Sequence, residues 1–163
     1  EKALGVLGVR PQEWPCMTHQ ALTPSAPIPG RPERPVLKPP QTMPQRSVNT
    51  ERGLAAMVHA IAHIEFNAIN LALDAVWRFP GMPLDYYRDW LRVAAEEASH
   101  FRMLRDHLRD MGHDYGDFPA HQGLWTMCEK TAHDIVGRMA LVPRTLPRQI
   151  VEILRGLAPV AAS

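Results

Sequence analysis

Glu65, Glu97 and His100 are polar side chains placed where the surrounding residues call for an oily seam. Glu65 lies four residues after Ile61 and four before Ile69. Glu97 lies four after Val93 and four before Phe101, and His100 lies four before Leu104. An α-helix turns about 100° per residue, so Glu97 and His100 are about 60° apart on one face. A carboxylate in an apolar core costs several kcal/mol unless it is paired or binds a cation. Three such groups on neighbouring helices ask for a shared partner. In di-iron and di-manganese carboxylate bundles one helix gives a single Glu, the next gives Glu-x-x-His, and a second helix pair repeats the set. Here Glu65 is the single Glu and Glu97-Ala98-Ser99-His100 is the Glu-x-x-His half. Glu97 would bridge two ions, with Glu65 and His100 each binding one. Glu-x-x-His alone is a frequent surface pair, and the trio could also be a metal-free hydrogen-bonded cluster. The conjunction of apolar flanks and ligand order favours metal. Carboxylates with one imidazole suit iron or manganese better than zinc.

Other polar pairs rank lower. His59 and His63 have i, i+4 spacing, but Glu65 lies about 160° round the helix from His63, so they read as packing or surface histidines. Glu96 points away from Glu97, toward Arg92 or solvent. Glu129 and His133 are one turn apart; they read as a surface pair, with completion of a site as the alternative. Arg138 is a candidate partner for a core carboxylate. Arg31, Arg34 and Lys38 are too few to indicate nucleic acid.

The elements that must position these groups begin at Ser47. Ser47, Asn49 and Thr50 are good N-cap residues, and Glu51 suits a first turn. The spacing predicts a helix from about residue 50 to Arg78, ended by Phe79-Pro80-Gly81, with the stripe Leu54, Val58, Ile61, Ile69, Ala72 and Val76. A second helix is expected from Pro83 or Asp85 to Met111-Gly112, with the stripe Tyr86, Trp90, Val93, Ala94, Phe101, Leu104, Leu108 and Met111. A third is expected from Gly123 to Leu141, with Trp125, Cys128, Ala132, Ile135 and Met139 on its apolar side, and Arg148 to Arg155 is a short helical candidate. Before these helices, prolines exclude a long helix. Pro29, Pro32 and Pro35 recur at the polyproline II period, as either a partner-docking motif or, the favoured reading, a strap over the chain's own helices. The apolar piece Ala3 to Val9 would pack or form a helix end. The organisation is thus a Pro-rich strap over 1–46, a partial bundle over 47–146 and a tail over 147–163. The class is all-α, with short links implying antiparallel neighbours.

Composition narrows the functions open to such a bundle. With 163 residues and 45% hydrophobic content the chain builds one core. A formal net charge of +1 excludes a strong footprint for DNA or an anionic membrane. Cys16 and Cys128 have no metal-type spacing, which fits a reducing cytoplasm. No run of about 20 apolar residues and no targeting segment is visible.

Longer stretches carry a resemblance. His59-Ala-Ile-Ala-His63-Ile-Glu65, Tyr87-Arg-Asp-Trp-Leu-Arg-Val-Ala-Ala-Glu96-Glu97-Ala-Ser-His100-Phe and Tyr115-Gly-Asp-Phe-Pro-Ala-His121 resemble the ferritin-like family catalogued as domain of unknown function 455. Glu129-Lys-Thr-Ala-His133-Asp and Arg138-Met-Ala-Leu-Val-Pro-Arg144 are similar to it too, so the resemblance covers roughly residues 25 to 146. It implies a ferritin-like bundle and distant kinship with di-iron tRNA hydroxylases. In that family a third-helix Glu and a second Glu-x-x-His follow, whereas here the sequence reads Thr145-Leu-Pro147-Arg-Gln. The resemblance therefore implies a truncated or frame-shifted copy holding half a di-metal site: Glu65, Glu97 and His100. The expected function is oxidoreductase-related, inactive alone, with a small-molecule or RNA substrate and a homodimer as the way to pair two half-sites. The alternative is a metal-free helical interaction module or an inactive remnant.

Overall fold

The structure, a computed structural model, describes residues 22–44 and 47–141. The readings at Ala3 to Val9, Cys16, Arg148 to Arg155 and the tail over 147–163 lie outside the described residues. Among the described residues the secondary structure is helical: α1 (Glu51–Arg78), α2 (Leu84–Asp110), α3 (Gly123–Lys130) and α4 (Ile135–Leu141), with one 3₁₀ turn at Pro40–Thr42. The class is all-α. The chain divides into two compact units, Glu1–Gln122 and Gly123–Ser163.

α1 begins where Thr50 caps it. Its side-chain oxygen accepts from the Gly53 N–H at 3.1 Å, and its hydroxyl donates to Ser47 O at 3.0 Å. The chain turns so tightly here that a Cβ added at Gly53 would collide with the Ser47 carbonyl oxygen and sit 2.8 Å from Thr50 Oγ1. Gly53→Ala should therefore destabilise the protein by about 2 kcal/mol, although alanine is the better helix former. A urea melt checks it, and a neutral or stabilising result would overturn this account of the cap.

α2 starts after Pro83, which sits at the N-cap, one position earlier than a first helical residue. It ends before Gly112, whose φ of 78° supplies the left-handed turn a C-terminal stop needs. Tyr86 Oη donates to Ala75 O and Tyr87 Oη to Phe79 O, while Phe66 meets Phe101. These pairs have a nearly constant sum of residue numbers, which is the signature of antiparallel neighbours.

The two helices share the core unequally. α1 buries 14 of its 28 residues, including His59, His63, Glu65, Asn67 and Asp74 as well as Val58, Ile61, Leu71 and Ala72. α2 buries four of 27: Tyr87, Ala94, Leu104 and Leu108. Of the stripe expected for α2, Tyr86, Trp90, Val93, Phe101 and Met111 are only half-buried. The reason is partnership: α1 is enclosed by α2 on one side and by the strap and the 113–122 loop on another. By length and composition α1 would also pass as a membrane span, a revision of the sequence expectation, but 56% of the window concerned is buried inside the protein.

The described part of the strap pairs with the 113–122 loop. Leu37 forms a parallel bridge with Ala120, with Lys38 N–H donating to Ala120 O at 2.8 Å and Ala120 N–H to Val36 O at 3.1 Å. Pro35 is buried. The continuous third helix is corrected: α3 stops at Lys130 and α4 starts at Ile135. Thr131 Oγ1 bonds back to the Met127 and Cys128 carbonyls, and Asp134 caps the new helix by accepting from the Gly137 N–H at 3.0 Å. Arg138, fully buried, donates to Thr131 Oγ1 at 2.8 Å and to Cys128 O at 2.7 Å, holding the break together.

Candidate metal centre

α1 and α2 bring Glu65, Glu97 and His100 together. One ligand atom from each lies within 4.8 Å of the other two. His100 Nδ1 is 3.2 Å from Glu97 Oε2 and 3.8 Å from Glu65 Oε2. Ligands on opposite sides of an ion bound at about 2.2 Å are ~4.4 Å apart, so a small contraction suffices to close on one cation.

Burial grades across the trio. The Glu65 side chain is 0% exposed, that of Glu97 17% and that of His100 44%. The expectation that His100 points into the core is therefore corrected: it stands at the rim, because α2 lends only a narrow strip to the core. Glu65 is the anomalous group. Both of its oxygens are buried with no hydrogen-bond partner. Two carboxylates offer no donor between them, so a bond from Glu65 to Glu97 requires a shared proton. Burial first, then the Glu97 carboxylate close beside it, push the Glu65 carboxyl well above the usual carboxylate range. A cation at this point would supply what the protein withholds, and two carboxylates with an imidazole are a suitable donor set for iron or manganese.

The lower-ranked residues go elsewhere. Glu96 is exposed, and Arg92 pairs with Asp89 at 3.1 Å. Glu129 accepts from Trp125 Nε1 at 2.9 Å, and the end of α3 separates it from the exposed His133. Of the two options for His59 and His63, burial decides for packing.

Sequence reasoning missed how much those histidines do. His63 Nε2 donates to the His121 carbonyl at 3.2 Å, because a carbonyl can only accept; Nδ1 then accepts from Tyr115 Oη at 2.8 Å. His59 Nε2 accepts from the Gly116 N–H at 2.9 Å. Tyr115 stacks on both imidazoles and meets Phe66 and Phe101. At the loop's start Asp114 takes two bonds from Arg105, at 2.7 and 3.0 Å, which hold its carboxyl below the usual range. The two histidines thus pin the 113–122 loop to α1, and the loop pins the strap. Only an i, i+4 pair beside a downstream Tyr could have signalled this.

Burial lowers both imidazoles from 6.5 to about 4; at His59 the neighbouring His63 adds to the effect. Above pH 6.5 both rings are neutral in folded and unfolded chains, and they contribute no pH dependence. As pH falls from 6.5 toward 4, the unfolded chain binds protons that the folded chain does not. Stability should then drop by on the order of 3 kcal/mol per ring. Urea midpoints between pH 7.5 and 4.5 test this, with His59→Leu expected to flatten the slope. An unchanged slope in that variant would count against a neutral, buried His59.

Against known proteins, residues 9–149 match the family described as "protein of unknown function (DUF455)". An uncharacterized protein of Haemophilus influenzae is 57% identical over 122 residues, 71% of this chain and 42% of that relative. The chain therefore spans about two fifths of that relative's length, 42%. No solved structure matches. With residues 9–149 matched, the greater part of its length, the chain belongs to the DUF455 family.

Proposed function

We propose that this chain supplies one half of a ferritin-like di-metal carboxylate centre, with Glu65, Glu97 and His100 as ligands, iron or manganese as the metal, and oxidoreductase-type chemistry. One observation carries the reading: a fully buried carboxylate, Glu65, has both oxygens without a hydrogen-bond partner and faces two further ligands. Such an arrangement costs the metal-free protein stability and costs nothing once a cation is held. A bound iron pair would contribute redox chemistry toward dioxygen. The chain's own part is to fix the ligands. Glu65 holds its carboxylate in a dry wall, Glu97 spans the gap, and His100 presents its imidazole at the side open to solvent and substrate. In this reading a second copy brings an equal set of three ligands and completes the pair.

Metal analysis of purified protein, wild type beside Glu97→Ala, tests the proposal. Loss of an orienting residue outside the ligand shell already weakens metal binding about 10–100-fold, so loss of a ligand should exceed that. Equal metal content in the two proteins would sink it. The His100–Glu97 contact at 3.2 Å favours a second reading: a metal-free cluster inside a helical interaction module. Melting that is indifferent to chelator and to added metal would support it.

A further inference from the structure

The seam between α1 and α2 has two sides, and they are finished differently. In two antiparallel right-handed helices, rotation of one sense carries residues to the same side of the seam. Phe66 lies about 100° past Glu65, and Phe101 about 40° past Glu97. The two rings meet there, 5.8 Å apart, and Tyr115 closes that side. Ile64 lies about 100° the opposite way from Glu65. His100 and Met103 lie about 60° and 120° the opposite way from Glu97. On this second side the His100 side chain is 44% exposed, Ile64 36% and Met103 57%. Met57 is half-buried and Ala60 exposed on the same flank of α1. Aliphatic and thioether surface thus surrounds the imidazole at the rim of the carboxylate cluster.

The cluster itself specifies what should cover that surface. Glu65, Glu97 and His100 are one set of ligands in a type of centre that takes two such sets. A second copy brings the missing kinds, and a two-fold axis sets the same face against itself. Charge decides when the faces close. Glu96 and Glu97 are acidic on this side, and Arg92 is engaged by Asp89 at 3.1 Å. Like charges set against each other across an interface are unfavourable, and divalent cations between them reverse the sign.

We propose that the flank of Ile64, His100 and Met103 is a docking face for a second copy of this chain, and that a divalent cation controls the docking. The inference rests on the half-site reading above. Without the ion, apolar contact and carboxylate repulsion oppose each other. With it, two sets of ligands share the cations and the aliphatic rim is buried. Assembly is then the event that makes the paired centre.

Sedimentation velocity of the full chain in chelator and in manganous salt tests this. Monomer is expected in chelator and dimer in Mn²⁺. With free Mn²⁺ at about 100 times its dissociation constant, each ion that only the dimer holds tightens association about 100-fold. Met103→Lys and Ile64→Ser should stay monomeric in Mn²⁺. Both side chains are exposed, so both variants keep the fold, which urea midpoints in chelator verify. A wild type that takes up Mn²⁺ as a monomer would overturn this inference and leave the three ligands standing. A dimer of equal strength in chelator and in Mn²⁺ would overturn the control by cation. Full dimerisation of both variants would overturn the face. Equal metal content in wild type and Glu97→Ala would remove the half-site reading, and this inference with it.

Discussion

Stripped of metal, Glu65→Leu should unfold at higher urea than the wild type, and it should no longer take up metal. In the metal-free protein the wild-type carboxyl is fully buried with neither oxygen hydrogen-bonded, a desolvation cost of about 1–3 kcal/mol. Leucine has nearly the same bulk, no polar atoms to satisfy, and apolar neighbours on the same helix in Ala62, Ala68 and Ala72. A stabilisation of about 1–3 kcal/mol follows. With metal present the order reverses, because only the wild type gains binding free energy on folding. The test is a pair of urea curves for each protein, in chelator and in ferrous or manganous salt. A variant less stable than wild type in chelator would mean that Glu65 is already satisfied, and the case for a metal centre would lose its footing.

The second large effect concerns Tyr115. Its ring stacks on His59 at 5.2 Å, meets Phe101 edge-on at 4.9 Å and lies 5.7 Å from Phe66. Tyr115→Ala removes the centre of this cluster, and its expected cost is about 3 kcal/mol. Tyr115→Phe keeps the ring but leaves His63 Nδ1 buried without its donor, at a cost of about 1–2 kcal/mol. The two variants separate packing from hydrogen bonding. Limited proteolysis adds a spatial readout. The alanine variant should be cut first in the strap, whose bridge to Ala120 depends on the loop that Tyr115 holds. Variants of equal stability would contradict this division.

The sequence revealed the elements whose reasons are local. Thr50 and Gly112 mark helix ends by chemistry confined to a few residues, and both stand where their types require. Glu65 was legible as buried because its neighbours at i−4 and i+4 are isoleucines. His100 was not legible, because its exposure depends on what covers α2, and periodicity cannot supply that. The break after Lys130 had a local sign, Asp134 three residues before Gly137, outweighed by an apolar spacing that continued across it. The roles of His59 and His63 depend on a loop more than 50 residues away, which no window along the chain contains.

The unequal burial of α1 and α2 bears on how the cluster opens. Backbone amides in α1, enclosed on several sides, should be the last to exchange with deuterium, while α2 can lift away in partial unfolding events that leave α1 intact. Glu97 and His100 would leave with α2 and Glu65 would stay behind. Any ion held there would act as a clasp across the seam, so the rate at which it escapes would be set by the breathing of one helix.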